Sequence, residues 1–561
     1  MHSRFRTKGV LLAALLALVA SMALPHHASA EPEPGAKKKG FRLFARALGA
    51  MTINRVYCGM ATTGEICVDS TNSSTIGGGF WPKGTPDQYI FNSGLQVAGI
   101  VGPEFPTWAG DTVGGFFFDP KGTTQHGEEV EPIYNASNPA DLAAWPEAAC
   151  VPFNAGNPND ESAALFDPLL QQDPTNTDPA YSYPCRKSAS QGDVWFVSWE
   201  GNPALRAGRK HPIGVLVETR GMGWNFPAGN EDILYFIYTF YNVTSTNPAD
   251  YAAYRPSLRP ILLQKAQDFH AAVAATGVNV PASGYSMTNL FAAFARDDDV
   301  GSAGANYSSV NLPFALGYTY DHGFSPNLPG WKFDPSIFSS PFFAGVGFTG
   351  AKYLKSPTGA GSIQLFSNTI NGQPFAGAVN DPRDVTQLYR YLSGTLSPAT
   401  GDQSCNTGIQ AQTRVCFINN TSSQDMRFFQ SSTPLNLPPG GSGSIVVAYL
   451  FAPPVKAAGS INNTDVKPGD PRRLTDPTLL AAGANLIDSI TGFAGWSDGN
   501  GDGIVQQGEF QVIPKSLLGK AQVAQTVFDF KFLLPFAPSS PDFFLVPGDD
   551  QVTVLWKPST S

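Results

Sequence analysis

Ile233-Leu234-Tyr235-Phe236-Ile237-Tyr238-Thr239-Phe240-Tyr241 places bulky apolar, aromatic or β-branched side chains at nine consecutive positions. Neither face of such a ribbon suits water, so the run predicts a central strand covered from both sides. Working outward, Asp193 to Trp199 alternates, with Trp195, Val197 and Trp199 on one face. Gln88 to Val97 likewise sets Tyr89, Phe91, Leu95 and Val97 together. Ser444 to Phe451 is a further strand, introduced by the breaker Pro438-Pro439-Gly440-Gly441. These segments predict a mainly β protein with an antiparallel β-sandwich-rich body.

Helical spacing interrupts the strands twice. Leu262, Ala266, Phe269 and Val273 mark a helix over 258–276, ending at Gly277 and packing on the sheets or joining two β units. A second begins at Thr475-Asp476-Pro477 and continues through Leu479, Leu480, Leu486, Ile487 and Ile490. The 561 residues therefore divide into a leader at 1–30, a basic segment at 31–50, a β-rich body at 51–455, a helical segment at 456–535 and two terminal strands within 538–561.

Composition narrows the classes of function. Only 14% of residues are charged, against about 25% in an average soluble protein, while 57 glycines and 47 prolines make the chain rich in turns. Aromatics at 12%, including 39 phenylalanines, supply a core and rule out wholesale disorder. The formal charge is −9. Removing Arg4, Arg6 and Lys8 leaves 33 basic against 45 acidic residues, a balance of −12, which is the wrong sign for a nucleic-acid binder.

Those three basic residues open a leader. An apolar run from Val10 to Leu24 follows, then Ala28-Ser29-Ala30, the pattern of a secretory signal peptide. The run is shorter than the roughly 20 residues a membrane span needs, and no later stretch is apolar for that length. An exported chain without a transmembrane segment is expected; an uncleaved N-terminal anchor is the competing reading. Between 31 and 50, Lys37-Lys38-Lys39, Arg42 and Arg46 interleave with Phe41, Leu43, Phe44 and Leu48. A solvated linker is favoured over a helix lying on anionic membrane.

Six cysteines fit an oxidising compartment. They allow 15 connectivities. Loop closure favours the sequential set Cys58–Cys67, Cys150–Cys185 and Cys405–Cys416. Zinc is the weaker alternative, because no pair has C-x₂₋₄-C spacing.

Asp498-Gly499-Asn500-Gly501-Asp502-Gly503-Ile504-Val505-Gln506-Gln507-Gly508-Glu509 follows D-x-[DN]-x-[DN]-G-x₅-E throughout. Calcium wants six to eight oxygens, so a short loop must aim several carboxylates and a carbonyl inward. The segment resembles an EF-hand calcium loop. That resemblance implies side-chain ligands from Asp498, Asn500 and Asp502, the carbonyl of Ile504, a direct or water-mediated contact from Gln506 and both oxygens of Glu509. Gly503 would permit the bend and Val505 would point into the core. A helix is expected to end near Phe493 to Trp496, Pro514 limits any exiting helix, and another starts around Lys515. A solitary hand of this kind implies structural calcium in a small α-helical segment near the C-terminus. A solvated Asp/Gly turn is the alternative.

Other constellations are less specific. Asp297-Asp298-Asp299, followed by Gly301, offers a second calcium site or, as the favoured reading, an acidic turn between strands. His126 beside Glu128, Glu129 and Glu131 suggests acid–base chemistry or a metal, against a preferred solvated acidic loop. Beyond the leader only His126, His211, His270 and His322 remain, none in H-E-x-x-H, and no G-x-S-x-G, P-loop or dinucleotide fingerprint occurs. Trp81, Trp108, Trp199, Trp224 and Trp331 would be sugar-stacking platforms or, as preferred, packing residues.

Pro538 to Pro541, then Phe543 to Val546, Gly548-Asp549 and Gln551 to Trp556, resemble the opening of a fibronectin type III domain, with Trp556 as its core plug. Such a domain needs about 90–100 residues, so the strands either begin a longer module or pair elsewhere. Gly77 to Gly84 leading into Tyr89, and Leu435 to Gly440 leading into the 444–451 strand, resemble segments of large uncharacterised secreted bacterial proteins that carry such modules. That family carries no established activity to transfer; the leading expectation is a secreted or cell-surface, calcium-stabilised, non-enzymatic protein that binds extracellular glycan or another surface protein. A secreted polysaccharide hydrolase and an extracellular filament subunit are the alternatives.

Overall fold

The computed structural model describes residues 48–68, 77–85, 87–116, 127–144, 190–203, 209–254, 257–300, 306–321, 347–360, 365–370, 382, 384–400, 414–416, 425–453, 492–497, 499–501, 506–530, 532, 534, 543–548 and 551–556. Two large sheets dominate, one of twelve strands and one of nine. In the first, Met287–Asp297 lies between Asn92–Val101 and Met426–Ser431; in the second, Ile233–Asn242 lies between Val215–Gly223 and Ser442–Ala452. All of these pairings are antiparallel. Leu365–Ile370 against Arg414–Cys416 is a parallel pair at the end of the first sheet.

The mainly β, sandwich-like body expected from the sequence is therefore present, and its core lies between the sheets. Tyr238 of the nine-stranded sheet meets Phe294 of the twelve-stranded one at 5.9 Å, Phe294 meets Tyr449 at 5.1 Å, and Tyr449 Oη donates to Ser93 Oγ at 2.6 Å. The strands expected at 193–199, 233–241 and 444–451 end close to their expected places, whereas the single strand expected over Gln88–Val97 is broken at Phe91 into Gln88–Ile90 and Asn92–Val101. Ile233–Asn242 is buried at every position. Its alternate residues explain why: Tyr238 faces the other sheet, while Tyr235 packs on Trp224 and Phe532 behind.

Helices cover the outer faces. Arg259–Ala274 buries Leu262, Ala266, Phe269 and Val273, the stripe read from the sequence. It connects a strand of the nine-stranded sheet to one of the twelve-stranded sheet, and the two sheets are interleaved along the chain. Val385–Ser393 packs Val385, Leu388, Tyr391 and Leu392 over Ala98, Phe291, Ala293, Ala295 and Phe429. Asp384 caps it by accepting from Gln387 N at 2.8 Å, and Gly394 in the left-handed region (φ 68°) ends it.

Cys58 and Cys67 form a disulfide within the first sheet. Cys150, Cys185 and Cys405, the side chain of Cys416, and the helix expected from 475 to 490 lie outside the described residues. Phe543–Gly548 pairs with Gln551–Trp556 as a separate two-stranded sheet.

Candidate metal centre

The 498–509 loop is carried by a β-hairpin. Phe493–Trp496 pairs antiparallel with Phe510–Val512, so the residues expected to end the preceding helix are strand instead. Glycines at 492 and 495 beside Phe493 and Trp496 favour an extended ribbon over a helix. Gly492 has φ 101°, and a Cβ there would stand 1.9 Å from Ser516 Oγ, so the strand passes too close to the next element for any side chain. That element is the helix Leu517–Asp529, starting two residues after the expected Lys515 because Ser516 caps it through Gly519 N at 3.0 Å.

Glu509 ties the loop together. Its Oε1 accepts from Gly499 N at 2.9 Å and its Oε2 from Gln506 N at 3.1 Å, while its carbonyl accepts from Ser497 N at 3.2 Å. The last residue of the pattern thus reaches both its beginning and its ninth position. Asn500 and Gln506 are exposed on the same closed turn. Asp498, Asp502, Gly503, Ile504 and Val505 lie outside the described residues. The ligand types of the described positions, amide and carboxylate oxygen, fit a hard cation.

The hairpin is seated on the β body. Phe510 meets Phe314 edge-on at 5.1 Å. Lys352, buried in the strand Phe348–Ser356, donates from Nζ to Gln507 Oε1 at 2.8 Å and to Phe314 O at 2.7 Å. Burial pulls the Lys352 amine down to about 7, with Asp529 opposing that shift. Behind the hairpin, Asp232 gathers Lys520 Nζ, Arg55 Nε at 2.7 Å and Trp81 Nε1 at 2.7 Å, fastening the Leu517–Asp529 helix to the start of Ile233–Asn242.

A second acidic group is assembled by the fold rather than by one stretch of sequence. Asp297 ends its strand, Asp299 follows, and Asp425 immediately precedes Met426–Ser431 on the neighbouring strand. Each offers a carboxylate oxygen, all within 4.8 Å of one another. Asp298 is not part of it: it pairs with Arg296 at 2.7 Å, both fully buried, and the Arg296 guanidinium stands 4.7 Å from the Tyr449 ring. The favoured reading of 297–299 as an acidic turn between strands holds for Asp298 and Asp299, which follow the strand that Asp297 ends, but all three acids are buried. Alternation along a buried strand sends Arg296 toward the opposite sheet and Asp297 to the other face.

The remaining constellations serve packing. Glu128, Glu129 and Glu131 lie in the strand Glu128–Asn135, not a loop, and bond to Asn202, Thr62 and Tyr134; His126 is outside the described residues. His211 stacks on Trp108 and bonds Asp111 at 2.8 Å, and His270 bonds Thr244 O at 2.7 Å. Trp81, Trp108, Trp199 and Trp224 are buried, so none is an open stacking platform. Buried carboxylates that sequence reasoning missed are likewise engaged: Glu218 accepts from Trp195 and Tyr241, Asp193 pairs with Arg220, and Glu200 with Arg209.

A scan against protein-family models finds no match for this chain, and a search of curated proteins finds none either. Among the described residues no helix is long and apolar enough to cross a membrane.

Proposed function

We propose that this is an exported, non-enzymatic surface or matrix protein, stabilised by calcium in the 498–509 loop and binding glycan or another surface protein through its β-rich body. The closed loop, with Glu509 bonded to Gly499 and Gln506, is the observation that carries the calcium reading. Asp498, Asn500, Asp502, Ile504, Gln506 and Glu509 supply the oxygens, and the ion stiffens a hairpin that is itself packed on the body. Export is supported by the leader and by the Cys58–Cys67 bridge. The engaged carboxylates and buried tryptophans of the described core favour a scaffold over a hydrolase.

Calcium at 100 times its dissociation constant adds about 2.7 kcal/mol to a protein that binds it only when folded. Thermal melts with excess calcium and with chelator should therefore differ, and Glu509→Ala should lose the loop's part of that difference. A variant matching the wild type at every calcium concentration removes the site. Incubation of the secreted protein with a polysaccharide panel separates the functional classes: retention without products supports the binding role, and turnover overturns it.

A further inference from the structure

We propose that Asp297, Asp299 and Asp425 hold a divalent cation of the calcium class, at a site independent of the 498–509 loop and bridging two strands of the twelve-stranded sheet. The three carboxylate oxygens lie within 4.8 Å of one another, which is the diameter of a calcium coordination sphere with bonds of about 2.4 Å. A second observation points inward. Asp297 is 1% exposed; its Oδ2 is paired with Arg427 Nε at 2.8 Å, but its Oδ1 is buried with no hydrogen-bond donor. Asp299 repeats the arrangement, with Oδ2 accepting from Gln88 Nε2 at 3.1 Å and Oδ1 buried without a donor.

Charge balance says what the missing partner is. Arg427 is the basic group that acts on this cluster among the described residues, since Arg296 is matched by Asp298. Among the described residues three carboxylates meet one guanidinium, and the Oδ1 atoms of Asp297 and Asp299 that lack a donor are buried, with the partly exposed Asp425 beside them. Like-charged carboxylates so placed are costly, and a bound divalent ion supplies two positive charges and the missing contacts together. The acids come from strand ends that only the folded sheet brings side by side, so the ion fastens the end of Met287–Asp297 to the start of Met426–Ser431.

Protons are the competing way to discharge the cluster, and the test separates the two. Wild type, Glu509→Ala, Asp299→Asn and Asp425→Asn are dialysed against calcium, and bound calcium per chain is measured by elemental analysis. Glu509→Ala should keep one calcium that either asparagine variant lacks. In chelator, Asp299→Asn should melt at or above the wild type, because it loses a repelling charge; in calcium the order should reverse. Glu509→Ala without bound calcium overturns the site and leaves the loop reading standing, and this needs no variant of the cluster to fold. Equal calcium in the wild type and both asparagine variants overturns it as well.

Discussion

Lys352 is one of the residues whose chemistry the fold changes most. Alone in a sequence, a lysine between Ala351 and Tyr353 reads as the solvated position of a strand; here it is 1% exposed and bonded to Phe314 O and Gln507. Its native amine titrates near 7 and its unfolded amine near 10.5, so between those values the unfolded chain binds one more proton. Stability should then rise with pH by about 1.4 kcal/mol per unit across that window, and the burial cost is felt in full below it. Urea unfolding at pH 7 and pH 9 checks this: Lys352→Met should lose the rise that the wild type shows. Arg296 is a similar case. Nothing in Phe294-Ala295-Arg296-Asp297 marks the arginine as a core group, because its partners Asp298, Thr349 and Tyr449 include two from the other sheet.

At the scale of elements, legibility followed local pattern. The strand at Ile233–Asn242 and the helix at Arg259–Ala274 carry their periodicity in consecutive residues, and both form where the pattern puts them. The helix Val385–Ser393 was missed although its signals are present: Asp384 as cap, Val385, Leu388 and Leu392 on one face, and Gly394 as stop. Leu388 is wholly buried against the outer face of the twelve-stranded sheet. Leu388→Ala should cost about 2–4 kcal/mol, read as a lower denaturant midpoint with an unchanged slope. The calcium-type loop shows the opposite limit. Its twelve residues are recognisable by type, but the strands on either side are set by pairing between 493–496 and 510–512, which the loop pattern does not encode. The Asp297, Asp299 and Asp425 group was half legible: two acids stand in one run, and the third is over a hundred positions away.

For the molecule as a whole, the sheets are built from interleaved segments. Asn92–Val101 and Met287–Asp297 pair in one sheet, while Ile233–Asn242, between them in sequence, belongs to the other. Asp232 joins three such distant pieces through Arg55, Trp81 and Lys520. Replacing it leaves two cations facing each other without their anion. Asp232→Asn should therefore destabilise by roughly 3–5 kcal/mol, whereas the neighbouring Glu231→Gln, on a partly exposed residue, should cost far less; chemical denaturation of both variants compares them.

The hydrogen bond from Tyr449 to Ser93 spans 356 residues and carries a kinetic consequence. Chains dominated by such distant pairings close their large loops before any contact rewards them, and they fold slowly. As this chain emerges from its ribosome, one edge of Asn92–Val101 meets the nearby Glu65–Ile66 and Thr112–Phe116, while the other waits for Met287–Asp297, made much later, and any similar ribbon would join it. Until that late strand is made, whatever shields the open edge keeps such a nascent chain from tangling with its siblings.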